Sequence, residues 1–186
     1  MSLVELTEEQ KQEHRVIEEA LNILDRISGR LENDRNVDPE IIRKTLDFLR
    51  TFADKCHHGK EQDLLFAALE IKGMSRKESP IGLLVREHEI ARNYIQNMER
   101  ALKDYKMGDE TADKDIVQNA CMYIELLRQH IDKEDDLLYP MAEKNLSNTE
   151  KKEILDAYDR FESEIIGEGV HERYHQMIED LKTRIE

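Results

Sequence analysis

Apolar residues recur at intervals of three and four along most of this 186-residue sequence. The pattern is clearest over residues 116–141, where its members are Ile116, Ala120, Tyr123, Leu127, His130, Glu134, Leu137 and Met141. Charged residues make up 38% of the chain, and Gly and Pro number only seven and three. This composition is typical of amphipathic helices. The sequence therefore predicts an all-α fold.

Signals for helix ends divide the periodic sequence into four long helices. The boundaries carry cap residues, first-turn prolines or terminal glycines, namely Asp38, Pro39, Gly73, Ser79, Pro80 and Gly108. Four long helices with short connections predict an antiparallel up-down-up-down four-helix bundle over residues 1–146. Ser147 and Glu150 form a capping box, which predicts the start of a C-terminal helical extension over residues 147–186, packed on the bundle.

Charge and hydropathy exclude several classes of partner. The formal net charge is −14 and no run of Lys and Arg appears, so we expect no nucleic-acid binding. No apolar stretch approaches the roughly 20 residues that span a bilayer, and the first residues do not form a signal peptide. We therefore expect a cytoplasmic protein without a membrane partner. In that reducing compartment the two cysteines, Cys56 and Cys121, are expected to be small core residues.

An internal repeat carries the candidate chemistry. Alignment of His57 with His130 places HHGKEQDLLFAALE over HIDKEDDLLYPMAE, so both segments contain a histidine followed four residues later by glutamate. His14 lies 43 residues before His57, and His88 lies 42 residues before His130. The sequence therefore reads as two copies of one helical hairpin.

The repeat also predicts where the four histidines lie along the bundle. At a rise of about 1.5 Å per residue, His14 and His57 both fall about 26 Å from the turn that joins their helices. His88 and His130 are equally matched about their own turn, so all four histidines are expected in one layer. The spacing of four places each motif glutamate on the same helix face as its histidine.

Imidazoles and carboxylates in an apolar seam require a partner of high positive charge. Iron or manganese suits these donors, and the lack of thiolate ligands argues against structural zinc. The predicted metal ligands are His14, His57, Glu61, His88, His130 and Glu134. A helical module without metal, whose seam histidines only form hydrogen bonds, is the alternative from another class.

The pattern H…HxxxE…H…HxxxE resembles the hemerythrin-like family of HHE cation-binding domains, over roughly residues 8–145. The resemblance implies a non-haem di-iron centre in which Glu61 and Glu134 bridge the irons and an oxo or hydroxo group completes the core. It also implies binding or sensing of dioxygen, nitric oxide or peroxide. An enzyme that reduces nitric oxide or peroxide with electrons from a donor protein, or supplies iron for iron–sulfur repair, is the alternative.

Two departures from the oxygen-carrying members of that family stand out. Those proteins have a second histidine four residues after the ligand on the third helix, where this chain has Arg92. Their last carboxylate is an aspartate five residues after its histidine, where this chain has Glu134 at four. We therefore expect one iron to lack a histidine, and Arg92 to pair with Glu61, Glu134 or an incoming anion.

The remaining polar residues have simpler interpretations. His58 points about 100° away from His57 on an α-helix, so we expect it to be partly exposed. Lys60 and Lys133 are expected to be solvated partners of nearby acids, and the tyrosines to be core aromatics. The last helix, with Glu168, His171 and His175, is either a simple amphipathic helix or a lid at the mouth of the metal layer. Both interpretations remain open from the sequence.

Overall fold

A computed structural model describes residues 6–33, 35–109 and 111–185 of the chain. All regular secondary structure in these ranges is helical. The α-helices are α1 Glu8–Glu32, α2 Pro39–Phe48, α3 Phe66–Ile71, α4 Ile81–Lys106, α5 Ala112–Lys133, α6 Tyr139–Asn145, α7 Asn148–Phe161 and α8 Val170–Ile185. The predicted all-α class is confirmed.

Several helices continue through segments with the wider π-helical hydrogen bonding, in which each N–H bonds five residues back. These segments are Leu49–His58, Glu61–Leu65, Glu134–Leu138 and Glu162–Gly167. The chain is helical without a break over residues 39–71 and again over residues 112–145. The second and fourth predicted helices therefore exist as continuous rods, although neither is purely α-helical.

The predicted helix ends are found close to their expected positions. The Asp38 carboxylate accepts a hydrogen bond from the backbone N–H of Glu40, and Pro39 occupies the first turn of α2. Gly73 and Gly108 follow α3 and α4 with φ angles of 91° and 84°, which residues with a side chain rarely adopt. The capping box of Ser147 with Glu150 is also present at the start of α7.

Helix packing brings α4 against α5, α1 against α5, and α2 against α4. Helix α8 packs against α1 and α2, so the last helix covers one side of the first half of the chain. Among the described residues, no helix is both long and apolar enough to cross a membrane.

Two buried apolar clusters fill the interior. The larger contains residues such as Ile17, Phe52, Ala91 and Ile131, and the smaller contains others such as Leu65. On each of the four long helical stretches, the predicted metal ligands lie where the larger cluster gives way to the smaller, although Ile131 of the larger cluster lies between His130 and Glu134. The candidate site is therefore enclosed from both ends by apolar side chains.

The two cysteines lie in different surroundings. Cys56 is buried, as expected, whereas Cys121 is exposed on α5. The expectation that both are core residues is therefore wrong for Cys121. Both thiols are free.

Candidate metal centre

The six predicted ligands come together in the interior of the protein. Each is at most 2% exposed, although they are distributed over four separate parts of the chain. They lie on α1, on the two π-helical segments within residues 39–71, on α4, and on the helical stretch of residues 112–145. The six residues are His14, His57, Glu61, His88, His130 and Glu134. The histidines lie in two pairs, since the ring centroids of His14 and His57 and those of His88 and His130 are each 4.6 Å apart.

The donor atoms form two groups that share both glutamates. One atom from each of His14, His57, Glu61 and Glu134 lies within 4.8 Å of the others. The same holds for Glu61, His88, His130 and Glu134. Two groups with common carboxylates can hold two cations side by side, because a carboxylate has an oxygen for each of them.

Two carboxylates outside the donor groups orient the histidines of the two HxxxE motifs, His57 and His130. His57 Nδ1 donates to Glu13 Oε2 at 2.8 Å, and His130 Nδ1 donates to Glu87 Oε2 at the same distance. This hydrogen bond places the imidazole proton on Nδ1 and leaves the Nε2 lone pair free for a metal. Second-sphere carboxylates of this kind are usual partners of metal-bound histidines.

A third imidazole has the same arrangement, and several inner atoms have no partner. His14 Nδ1 donates to Asp135 Oδ1 at 2.9 Å. Among the described residues, His57 Nε2 and Glu61 Oε2 are buried without a hydrogen bond. Buried polar atoms are rarely left unpaired, and a bound cation would give these atoms the partner that the protein does not provide.

The electrostatics of the two glutamates also fit cation binding. Burial and then the charge of Glu134 raise the pKa of Glu61 well above its usual value. Burial alone would raise the pKa of Glu134, but the charge of His130 and hydrogen bonds from His130 and His14 hold it well below its usual value. Two buried carboxylates this close cannot both be charged unless cations balance them. The donor set therefore fits bound metal.

His58 also belongs to the site, which the sequence interpretation missed. It is 1% exposed rather than partly exposed, and its ring stacks on His88 with centroids 3.8 Å apart. One donor atom from each of His58, His88 and His130 lies within 4.8 Å of the others. The expectation assumed that this face of the helix is open, but α4 packs on the segment Leu49–His58 and covers it. The doubled histidine was the available signal.

Arg92 does not face the glutamates of the site. Its Nε donates to Asp54 Oδ1 at 2.7 Å, so the expected pairing with Glu61 or Glu134 is wrong. Asp54 Oδ1 also lies 3.5 Å from His58 Nδ1. The Arg92 guanidinium therefore contacts Asp54, which in turn lies beside His58. His58 supplies an imidazole next to His88, where the sequence suggested that a histidine was missing.

Tyr139 reaches the site as well as filling the core. Its hydroxyl donates to Glu61 Oε1 at 2.7 Å and lies 3.2 Å from His14 Nε2. The sequence interpretation made Tyr139 a core aromatic, and its burial confirms this. Its hydrogen bond to Glu61 is a second role that the sequence interpretation missed. Phe66 occupies the matching position of the first repeat and has no hydroxyl.

The last helix contacts the surroundings of the site rather than its centre. His171 Nε2 lies 3.0 Å from Glu13 Oε1, while Glu168 is exposed. His175 is partly buried against the rings of Phe52 and His171. Neither His171 nor His175 belongs to the two donor groups found among the described residues.

Lys60 is not the solvated residue that the sequence predicted. Its side chain is 0% exposed, and its Nζ lies 2.7 Å from Glu13 Oε1 and 2.5 Å from Glu162 Oε1. Burial alone would lower the pKa of Lys60, but the charges of Glu13 and Glu9 raise it above its usual value. Lys60 is therefore a buried cation in the layer of residues around His57.

One of the comparisons with known proteins agrees with this geometry. The family model described as hemerythrin HHE cation binding domain matches residues 5–142. This range contains every residue of the two donor groups, and it ends before α7. Comparison with curated proteins and comparison with solved structures each gave no match.

Proposed function

Because the chain belongs to the hemerythrin HHE cation-binding family, we propose that it binds two iron ions and uses them to bind or sense dioxygen, nitric oxide or peroxide. The observation that carries this proposal is the pair of donor groups that share Glu61 and Glu134. Neither group, as found among the described residues, contains a cysteine. Imidazole and carboxylate donors of this kind favour iron over structural zinc.

The proposed ligands divide between the two ions. The first ion position has His14 and His57, the second has His88 and His130, and both use the shared glutamates. We add His58 to the second position because it lies with His88 and His130. The first position then has one histidine fewer than the second, so the open place for a small ligand lies beside His14 and His57.

The supporting framework is proposed to be an antiparallel four-helix bundle. It consists of α1, the rod over residues 39–71, α4, and the rod over residues 112–145. The packing of α1 on α5, α4 on α5 and α2 on α4 supports this arrangement. Residues 1–146 would form the bundle, and residues 147–186 the extension packed on it.

The chain's own residues prepare the first position for a small ligand or anion. Bound iron would supply an exchangeable coordination position and the capacity for electron transfer. The Tyr139 hydroxyl lies 3.2 Å from His14 Nε2 on this side of the site, and it would donate to a ligand there by turning from Glu61 Oε1, to which it now donates. The apolar clusters on either side exclude bulk water, which strengthens electrostatic interactions within the site.

Metal analysis of the protein tests the proposal directly. After anaerobic reconstitution with excess ferrous iron and removal of unbound metal, we expect about two iron atoms per chain. His57→Ala and His130→Ala should each lower the iron content, whereas His175→Ala, which removes a histidine outside both groups, should not. One iron or fewer in the unsubstituted protein would overturn the proposal.

Ligand binding tests the proposed open position. Azide should bind the oxidised, iron-loaded protein and change its visible spectrum. Replacement of Tyr139 by Phe should weaken azide binding, since the hydroxyl donor is lost. Equal azide affinity in the two proteins would place the open position elsewhere.

A further inference from the structure

We propose that the C-terminal extension fixes the outer partner of His57 at the first ion position, whereas bundle residues alone hold the outer partner of His130 at the second, so that the two ions leave at different rates. The inference rests on the proposed two-ion site. It assigns to His171 a positioning role that acts through Glu13 and His57.

Glu13 is the point of contact between the extension and the site. Its Oε2 accepts the hydrogen bond from His57 Nδ1 at 2.8 Å. Its Oε1 accepts from Lys60 Nζ at 2.7 Å and lies 3.0 Å from His171 Nε2. The carboxylate is 2% exposed and held by three donors, so the His57 ring has little freedom to rotate.

Lys60 joins this contact to a second residue of the extension. Its Nζ lies 2.8 Å from Glu9 Oε1 and 2.5 Å from Glu162 Oε1. We call these five residues, Glu9, Glu13, Lys60, Glu162 and His171, the covered network. The donor atoms of Glu13, Glu162 and His171 lie close enough to hold a metal, but the Lys60 ammonium already supplies the positive charge there.

The second half of the repeat has a simpler arrangement. Glu87 accepts from His130 Nδ1 through Oε2 and from Lys133 Nζ through Oε1, at 2.8 Å and 2.5 Å. Both residues come from the bundle, and the Lys133 side chain is 32% exposed. We call Glu87 and Lys133 the open pair, because the Lys133 side chain is 32% exposed, whereas Lys60 of the covered network is 0% exposed.

The backbone next to His58 shows how closely the extension is packed. A Cβ atom added to Gly59 would lie 2.8 Å from Phe161 Cζ, so only glycine allows the phenylalanine ring to lie against this turn. The matching residue of the second repeat is Asp132, which carries a full side chain. The extension therefore packs directly on the first copy of the motif, on the helix that bears both His57 and His58.

Slower loss of the first ion follows from this difference. An ion leaves when its imidazoles rotate away and water or a chelator replaces them, and outer hydrogen-bond partners that hold an imidazole typically change metal affinity by about 10-fold to 100-fold. The covered network holds His57 through Glu13, and it keeps water from the Lys60 ammonium, which is 0% exposed. The other imidazole of that position, His14, is held by Asp135, which is 36% exposed, so the effect acts through one ligand of the pair.

Transfer of iron to an excess of ferrous chelator measures the two rates. We expect two phases of equal amplitude from the iron-loaded, unsubstituted protein. His171→Ala should accelerate the slow phase by about 10-fold, the low end of the range for outer partners, and leave the fast phase unchanged. His175→Ala, on the same helix and without a hydrogen bond to Glu13, is the matched control and should change neither phase.

The outcomes separate this inference from the proposed function. Fewer than two irons per chain before the chelator is added would contradict the function, whatever the rates. Two irons that leave in one phase, or a slow phase that His171→Ala does not change, would overturn the inference alone. Acceleration of both phases would also overturn the inference, because it would show that His171 only stabilises the fold. His171→Gln keeps a side-chain N–H donor, and it should restore the slow phase if positioning is the cause.

Discussion

The two halves of the repeat agree at the site and differ around it. In each half a motif histidine donates to a glutamate from the preceding helix, and a lysine three residues after that histidine contacts the same glutamate. In the first half Lys60 is 0% exposed and contacts Glu162 of the extension, whereas in the second half Lys133 is 32% exposed.

The comparison shows that the repeated motif determines only the contacts of its histidine and lysine with the glutamate of the preceding helix. The sequence HxxKE places histidine, lysine and glutamate on one helix in both halves, and the same hydrogen bonds result. The environment of the lysine depends instead on a segment that has no copy in the chain. Two identical local arrangements therefore acquire different burial, and burial decides how strongly a charge interacts with its neighbours.

Removal of a carboxylate shared by both halves should have the largest effect. Glu134→Ala deletes a donor from both groups, so we expect iron content to fall from about two per chain to well below one. Metal analysis after reconstitution measures this loss. Asp136→Ala, an exposed acid two residues later, is the control and should retain both ions. One tightly held ion in Glu134→Ala would show that the halves bind independently.

Replacement of the two lysines should separate the covered network from the open pair. Lys60→Met leaves Glu9, Glu13 and Glu162 facing one another without their cation, which should lower the free energy of unfolding by about 3 kcal/mol. Lys133→Met should cost about 1 kcal/mol or less, because its ion pair is partly solvated. Urea denaturation of the iron-free proteins measures both. Equal losses would contradict the difference between the halves.

A smaller effect is expected where the extension meets the bundle. Gly59→Ala forces the Phe161 ring aside, and this overpacking, partly offset by about 1 kcal/mol of helix propensity, should lower the free energy of unfolding by about 1 kcal/mol. Asp132→Ala is the matched change in the second repeat and should cost less than about 0.5 kcal/mol, as an ordinary surface substitution does. Thermal unfolding of the two variants compares them. Greater destabilisation by Asp132→Ala would show that the extension packs elsewhere.

The smallest effect concerns the aromatic residue that differs between the repeats. Tyr139→Phe makes the second repeat like the first at this position, and removes the hydrogen bond to Glu61. We expect a loss of about 1 kcal/mol in the free energy of unfolding and full retention of iron. Denaturation together with metal analysis provides both readouts. Loss of iron in this variant would make the hydroxyl a requirement for the site.

Much of this structure could be predicted from local sequence signals. The Asp38–Pro39 start, the terminal glycines and the capping box at Ser147 depend on residues that are close in sequence. The gathering of the six predicted residues followed from helical rise and the matched spacing of the repeat, since distance along an α-helix is nearly constant.

The remaining features depended on information that local patterns do not carry. His58 was placed wrongly because α4 covers its face of the helix, and the apolar spacing around His58 does not mark that contact. Burial of Lys60 and the contact of His171 with Glu13 depend on how the extension docks. Docking joins residues far apart in sequence, so helix periodicity alone does not determine it.

The π-helical segments at the motif glutamates, Glu61–Leu65 and Glu134–Leu138, occupy the same five positions of the repeat. Such segments are rare, so their occurrence at matched positions favours a single origin, in an ancestral hairpin that was later duplicated. That hairpin would have offered two histidines and one glutamate, and would have needed a second copy about a two-fold axis to enclose two ions. The present bundle would then be a fused dimer whose symmetry was broken when the extension was added. If the two hairpins, produced as separate chains, cannot recover an iron site when mixed, this history is wrong.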